Sequence, residues 1–193
     1  MIVIVEGCDR CGKSTQIAYM QKKFERDGKA VFIIHCEAVK AYSKDEAKID
    51  YIECNHWVST KRYAGLLKMI EKYADDPDTV IIFDRAHIGE AVYSPLYRNY
   101  DGNEVFAMEN MISYEKAKLV HLFIMIDDAE NIIARDDGLS FSIDKDIKKK
   151  EIDLFIQAWN KSRFSSNVGS RLINIKDKNI EDVSHIIEGA LNA

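Results

Sequence analysis

The sequence predicts an α/β fold: a single domain over residues 1–193, with a mostly parallel sheet of about five strands and helices on both faces. Three observations carry this prediction. Short apolar, β-branched runs such as Ile2–Val5 alternate with longer segments of helical period. The runs are continuous rather than alternating with polar residues, as expected of strands covered on both faces. Val5, Phe83 and Ile126 each end such a run just before polar residues, and open parallel sheets bind ligands at those carboxyl ends.

The elements follow in order. Ile2–Val5 reads as the first strand. Lys13–Arg26 carries apolar residues at Ile17, Met20 and Phe24 and is stopped by Gly28, so it reads as a helix. Ala30–His35 is the second strand, and a polar stretch from Glu37 to about Tyr51 has no clear period. Trp57–Tyr73 reads as a long helix ended by D-D-P-D, and Val80–Phe83 as the third strand, closed by Asp84-Arg85. Glu104–Lys118 has a helical pattern and Val120–Ile126 is the fourth strand. A short helix from Asp128 leads into the polar run Arg135-Asp136-Asp137-Gly138. A helix over Ile147–Arg163, a strand over Arg171–Ile175 and an amphipathic helix over Ile180–Leu191 complete the series.

Composition narrows the function classes. A 47% apolar content over 193 residues is enough for a substantial core. Net charge is −5, which disfavours a nucleic-acid polymer as partner, so any bound anion is small and met by a few placed cations. Four cysteines are too few and too unevenly spaced for a secreted disulfide framework. The opening M-I-V-I-V-E has neither the basic start of a signal peptide nor the length of a membrane span. The expectation is a cytoplasmic protein with no membrane partner.

The stretch "GCDRCGKST", residues 7–15, carries two motifs at once. Cys8 and Cys11 form C-x-x-C, the spacing of redox dithiols and of half a zinc site. Gly7, Gly12, Lys13 and Ser14 form G-x-x-x-x-G-K-S, the P-loop. The P-loop reading has its required context, a buried strand before and a helix start after. Its glycines let backbone N–H groups turn toward phosphate, Lys13 supplies a movable charge, and the Ser14 hydroxyl suits Mg²⁺. The residues around the phosphates are then Gly7, Cys8, Cys11, Gly12, Lys13, Ser14 and Thr15. A zinc site needs two more ligands, and Cys36 and Cys54 are isolated. The two P-loop cysteines read as passive fillers.

The flanks resemble a family. "VEGCDRCGKSTQ" is similar to the opening of thymidylate kinases, matching at Glu6, Gly7, Asp9, Gly12, Lys13, Ser14, Thr15 and Gln16. Asp84-Arg85 resembles that family's D-R pair, and "KKKEIDLFIQAWNKSRF" its helix after the lid. "INIKDKNIEDVSHII" is similar to its last strand and helix. The resemblance implies a three-layer P-loop kinase fold with a short lid at about residues 135–147. It implies phosphoryl transfer from ATP, with Mg²⁺, to a deoxynucleoside monophosphate, dTMP above others, by a homodimer.

The resemblance also implies roles. Arg85 holds the acceptor phosphate, Asp84 supports Mg²⁺ with Ser14, and Asp9 approaches the acceptor's sugar and phosphate. Arg10 resembles the P-loop arginine of the branch whose lid lacks one, and residues 136–146 contain lysine but no arginine. Lys13, Arg10, Arg85 and Asp9 thus form the expected catalytic set, with Arg135 stacking on adenine. The family's A-N-R-W motif, whose arginine reads thymine, is here Cys54-Asn55-His56-Trp57. His56 and Trp57 are therefore base-site candidates, with Glu90 for a base edge or sugar hydroxyl and Tyr93 to bar a 2′-hydroxyl.

Three rivals share the P-loop, one of them a polynucleotide 5′-kinase, which the acidic balance disfavours. A deoxynucleoside kinase needs a base near the 5′-hydroxyl, and Glu37 is available; a GTPase switch needs N-K-x-D, and the N-K-S-R from Asn160 lacks the aspartate. The amphipathic segments Tyr63–Ile70 and Tyr93–Ile112 are the expected dimer faces.

Overall fold

Among the described residues, strands β1 (Ile2–Gly7), β2 (Ala30–His35), β3 (Thr79–Asp84), β4 (Val120–Ile126) and β5 (Arg171–Asn174) form one sheet, ordered β2-β3-β1-β4-β5. Every pairing is parallel. The computed structural model describes residues 1–36, 51–138 and 140–193, the side chains of residues 51–55 excepted. Glu37, the base of the nucleoside-kinase alternative, lies outside them, as do the side chains of Cys54 and Asn55.

β1 lies at the centre, and Ile2, Val3, Ile4 and Val5 are wholly buried. Each such side chain contributes about 1.5–3 kcal/mol by leaving water, which is why a continuous apolar run marks the central strand. The order reverses at β1, because the chain moves out to β2, returns through β3 and then crosses to β4. That reversal opens a crevice at the carboxyl ends of β1, β3 and β4.

Helices cover both faces in a three-layer arrangement. α1 (Lys13–Arg26) spans the predicted residues. α2 (Tyr51–Tyr73) begins six residues earlier than its apolar period indicates. α3 (Ile88–Tyr93) runs on as a π turn over Ser94–Arg98, where no element was expected. α4 (Glu104–Met108) and α5 (Tyr114–Ala117) follow, then α6 (Ala129–Ala134) after β4. α7 (Lys145–Lys161) begins at the side chain of Asp144, which accepts from the N–H groups of Asp146 and Ile147. α8 (Ile180–Leu191) opens on an Asn179/Asp182 capping box, and Gln16 of α1 bonds to its Ile180 carbonyl and Ser184 hydroxyl.

Two expectations are corrected here. The helix predicted over Glu104–Lys118 is broken: Ile112 is extended, at φ −99° and ψ 131°. Anchoring overrides periodicity at that point. The buried Glu109 carboxylate meets a His87 ring nitrogen at 2.9 Å and accepts from Ser162 Oγ at 2.7 Å and the Arg163 N–H at 2.8 Å. The Arg163 guanidinium then satisfies the Glu109 and Ile112 carbonyls. The proposed dimer faces are also taken up inside the chain, since Tyr63, Leu66, Leu67, Ile70, Tyr93, Val105 and Ile112 are all buried. Among the described residues no helix is long and apolar enough to cross a membrane.

Candidate active site

The P-loop joins β1 to α1 through backbone that only certain residues adopt. Gly7 has φ +130°, and a Cβ there would lie 1.9 Å from the Met125 carbonyl oxygen. Gly12, at φ +75°, turns the chain into α1. Between them Arg10 is left-handed at φ +63°, a conformation that strains a residue with a Cβ. Lys13 is buried; its Nζ lies across the loop and donates to the Gly7 carbonyl at 2.9 Å and the Cys8 carbonyl at 2.6 Å. Burial, aided by the Arg85 charge, lowers its pKa. A phosphate that exchanges with those carbonyls meets a cation already poorly solvated.

Facing the loop, Arg85 follows β3 at φ +66°. Its turn is held on three sides. The Arg85 N–H donates to Val5 O, and Glu6 Oε1 accepts from the Ala86 N–H at 2.7 Å and the Gly89 N–H at 3.0 Å. Glu6 is fully buried, and desolvation raises its pKa against those two hydrogen bonds. The Arg85 guanidinium donates to Asp9 Oδ1 at 2.6 Å. Burial alone would raise the Asp9 pKa, but Arg85 and Lys13 outweigh it and hold the carboxyl below its usual value. Glu6, in the sequence only a position matching the motif, sets the Arg85 turn.

A cavity of about 590 Å³ gathers Asp9, Arg10, Gly12, Lys13, Ser14, Thr15, Asp84, Arg85 and Arg135, together with His35 and Phe141. The last two were not anticipated. In parallel register His35 of β2 lies beside Asp84 of β3, and its Nδ1 is 2.8 Å from Asp84 Oδ2. Phe141 enters from the segment between α6 and α7. Arg135 is anchored by Asp127 and by the Asn131 carbonyl. Arg10 pairs across to Asp137, so the P-loop is joined to the segment between α6 and α7.

Cys8 and Cys11 are both free thiols buried in the core. The neighbouring Cys11 thiol, then burial, pushes the Cys8 thiol well above its usual pKa. A buried thiol kept protonated is a poor nucleophile and a poor metal ligand. Among the described residues no cluster of three or more His, Cys, Asp or Glu side chains suits a metal ion. Ser14 and Asp84 do open on one cavity, and Mg²⁺ takes one or two such protein oxygens and completes its shell with phosphate and water.

The acceptor-side candidates are placed differently. Tyr93 is buried; its hydroxyl donates to Glu151 Oε1 at 3.2 Å and feels the charges of Asp9 and Arg85. Lys148, also buried, pairs with Glu151 at 2.9 Å. Glu90 departs from its expected part. Its carboxylate accepts from Tyr63 Oη at 3.0 Å, Ser94 Oγ at 2.7 Å, Arg98 Nη1 at 2.7 Å and the Tyr100 hydroxyl. Both oxygens are therefore engaged inside the fold, where they tie α3 and the π turn to α2. His56 Nε2 lies 2.7 Å from Glu104 Oε1, and the Trp57 ring is exposed beneath the Lys61 ammonium. Neither residue lines the phosphate cavity, because this face of α2 turns toward α4 and solvent.

No family model matches the sequence, and no curated protein sequence matches it. Two solved structures are similar in fold. One is thymidylate kinase from Candida albicans, 16% identical, with a TM-score of 0.63 over 99% of this chain and 90% of that one. The other is the YorR protein from Bacillus subtilis in complex with phosphorylated GDP, 14% identical, with a TM-score of 0.60 over 100% and 96%. The chain thus has the three-layer α/β fold of P-loop kinases, as its thymidylate-kinase-like motifs implied.

Proposed function

We propose that the chain transfers the γ-phosphoryl group of ATP to a deoxynucleoside monophosphate, with dTMP as the first acceptor to test. One observation carries this reading: Lys13 and Arg85 face one cavity from two separate loops, with Asp9 between them. Two cationic seats suit two phosphate groups that must be brought in line against their mutual repulsion. Support comes also from the fold neighbours, one a thymidylate kinase and one holding a guanine nucleotide.

In this reading Lys13 and the loop N–H groups hold the triphosphate, and Arg85 holds the acceptor phosphate. Asp9 fixes the Arg85 fork. Arg10 leaves Asp137 to meet charge developing on the transferred group. Ser14 and Asp84 would hold Mg²⁺, which when bound offsets β- and γ-phosphate charge. A monophosphate is largely ionised near neutral pH, so no general base is required of the chain.

The test is a coupled ADP-release screen over all deoxynucleosides and their monophosphates. Turnover confined to monophosphates supports the reading. A preference for thymidine over dTMP would overturn it and turn attention to Glu37.

A further inference from the structure

We propose that the Tyr97 ring and its hydroxyl form the seat of the acceptor base, and that Phe141 of the lid occupies this seat until the acceptor displaces it. The inference rests on the nucleotide-kinase reading above and adds a site to it.

Phe141 is 60% exposed, yet its ring is not loose. It stacks on Tyr97 at 5.1 Å and 29°, and leans on Tyr93 at 6.2 Å. Tyr97 in turn stacks on Tyr93 at 6.2 Å and 24°. The two tyrosines, one turn apart where α3 runs into the π turn, make an aromatic face covered by a ring from another element. Phe141 also lines the cavity that holds Lys13, Asp9 and Arg85. Phe141 thus stands between the tyrosine face and that cavity, and its displacement would join the two.

Phe141 is an incomplete occupant. Tyr97 Oη is buried and has no hydrogen-bond partner among the described residues. A buried hydroxyl without a partner is unfavourable, and a phenyl ring cannot supply one. Desolvation, with the Glu151 and Asp9 charges, pushes this hydroxyl up to about 12, so it keeps its proton near neutral pH. A nitrogen base offers what the phenyl ring offers, a flat π face, and adds polar edge atoms for the hydroxyl. The ring-to-ring contact leaves no gap for a base between Phe141 and Tyr97, so the base must replace Phe141 rather than slide beneath it. Four residues earlier, Asp137 sets a carboxylate on Arg10. One lid segment thus presents an anion to the P-loop arginine and a ring to the tyrosines.

The experiment titrates dTMP and the other deoxynucleoside monophosphates into wild type, Phe141→Ala and Tyr97→Phe, followed by steady-state kinetics at saturating ATP. Phe141→Ala is expected to bind its acceptor about fivefold more tightly, since an aromatic pair no longer competes. Tyr97→Phe, which keeps the ring, is expected to bind it about fivefold more weakly, with the KM for ATP within about twofold of wild type. Unchanged or weaker acceptor binding in Phe141→Ala overturns the proposal, as does unchanged binding in Tyr97→Phe. A wild type that phosphorylates no monophosphate sinks the functional reading itself. An active wild type with unmoved variants sinks only the Phe141 seat.

Discussion

In the proposed reading the cavity has a phosphate end and an acceptor end, and the two are built by opposite means. At the phosphate end, backbone does the positioning. Gly7 fits under the Met125 carbonyl, Arg10 and Arg85 hold left-handed conformations, and Glu6 pins the Arg85 turn through two N–H groups. Toward the acceptor end side chains dominate, with Tyr93, Tyr97 and Phe141 stacked, while Glu90, away from the cavity lining, centres a hydrogen-bond network. A phosphate is the same in every nucleotide, so strained and fixed backbone suits it. Bases differ, and side chains can change without disturbing the loop.

This contrast is broken most directly by Lys13→Ala. It should abolish phosphoryl transfer with circular dichroism and melting temperature near wild type, because the Nζ contacts only loop carbonyls. Near-normal turnover would rule out the triphosphate assignment. Next in size is Arg10→Ala, expected to lower kcat about a hundredfold, roughly 3 kcal/mol, with the KM for ATP little changed. A loss confined to KM would make Arg10 a ground-state binder instead.

A smaller effect separates by pH the carboxylates of Asp9, in the P-loop, and Glu6, at the end of β1. Asp9 is held low, so its stabilising contribution is present above the usual carboxylate range and is lost as pH falls through its lowered pKa. Asp9→Asn should therefore cost on the order of 1 kcal/mol at neutral pH and little in acid, read from urea unfolding. Glu6 is raised by burial, so its protonated form favours folding and that contribution is lost as pH rises through the raised pKa. Glu6→Gln keeps an oxygen for the Ala86 and Gly89 N–H groups. It should be at least as stable as wild type at neutral pH, with the advantage vanishing in acid. The same pH slope in both variants would contradict these assignments.

The smallest effect is expected from Cys8→Ser with Cys11→Ser. Under reducing conditions this variant should retain near-normal kcat, since the two thiols are buried and do not line the cavity of Lys13 and Arg85. A folded but inactive variant would reopen the dithiol reading.

Much of the phosphate end was legible in the residues, because a P-loop needs fixed residue types at fixed spacing. Residues 7–15 and Asp84-Arg85 announced themselves, and Asp9, Arg10, Lys13, Ser14 and Arg85 do share one cavity. Less of the acceptor end could be read. Glu90 and Tyr93 stand three apart in one short helix, yet one is closed inside a network and the other donates to Glu151 and stacks on Tyr97. Phe141 carried no signal, since a lone aromatic in a polar segment has no period. His35 was readable only through strand register, which places it beside Asp84.

The sequence by itself determined the strands, the order of the major elements and the position of the P-loop motif between β1 and α1. Those features depend on local chemistry: apolar runs, helical spacing, glycines and a lysine at set intervals. Tertiary structure alone decided which apolar faces stay exposed, where the Glu104–Lys118 pattern breaks, and which side chain covers Tyr97. Each of these depends on contacts between residues far apart in the chain, as when Glu109 is claimed by His87, Ser162 and Arg163. Periodicity reports the face a segment would bury, but the partner that arrives determines whether it does.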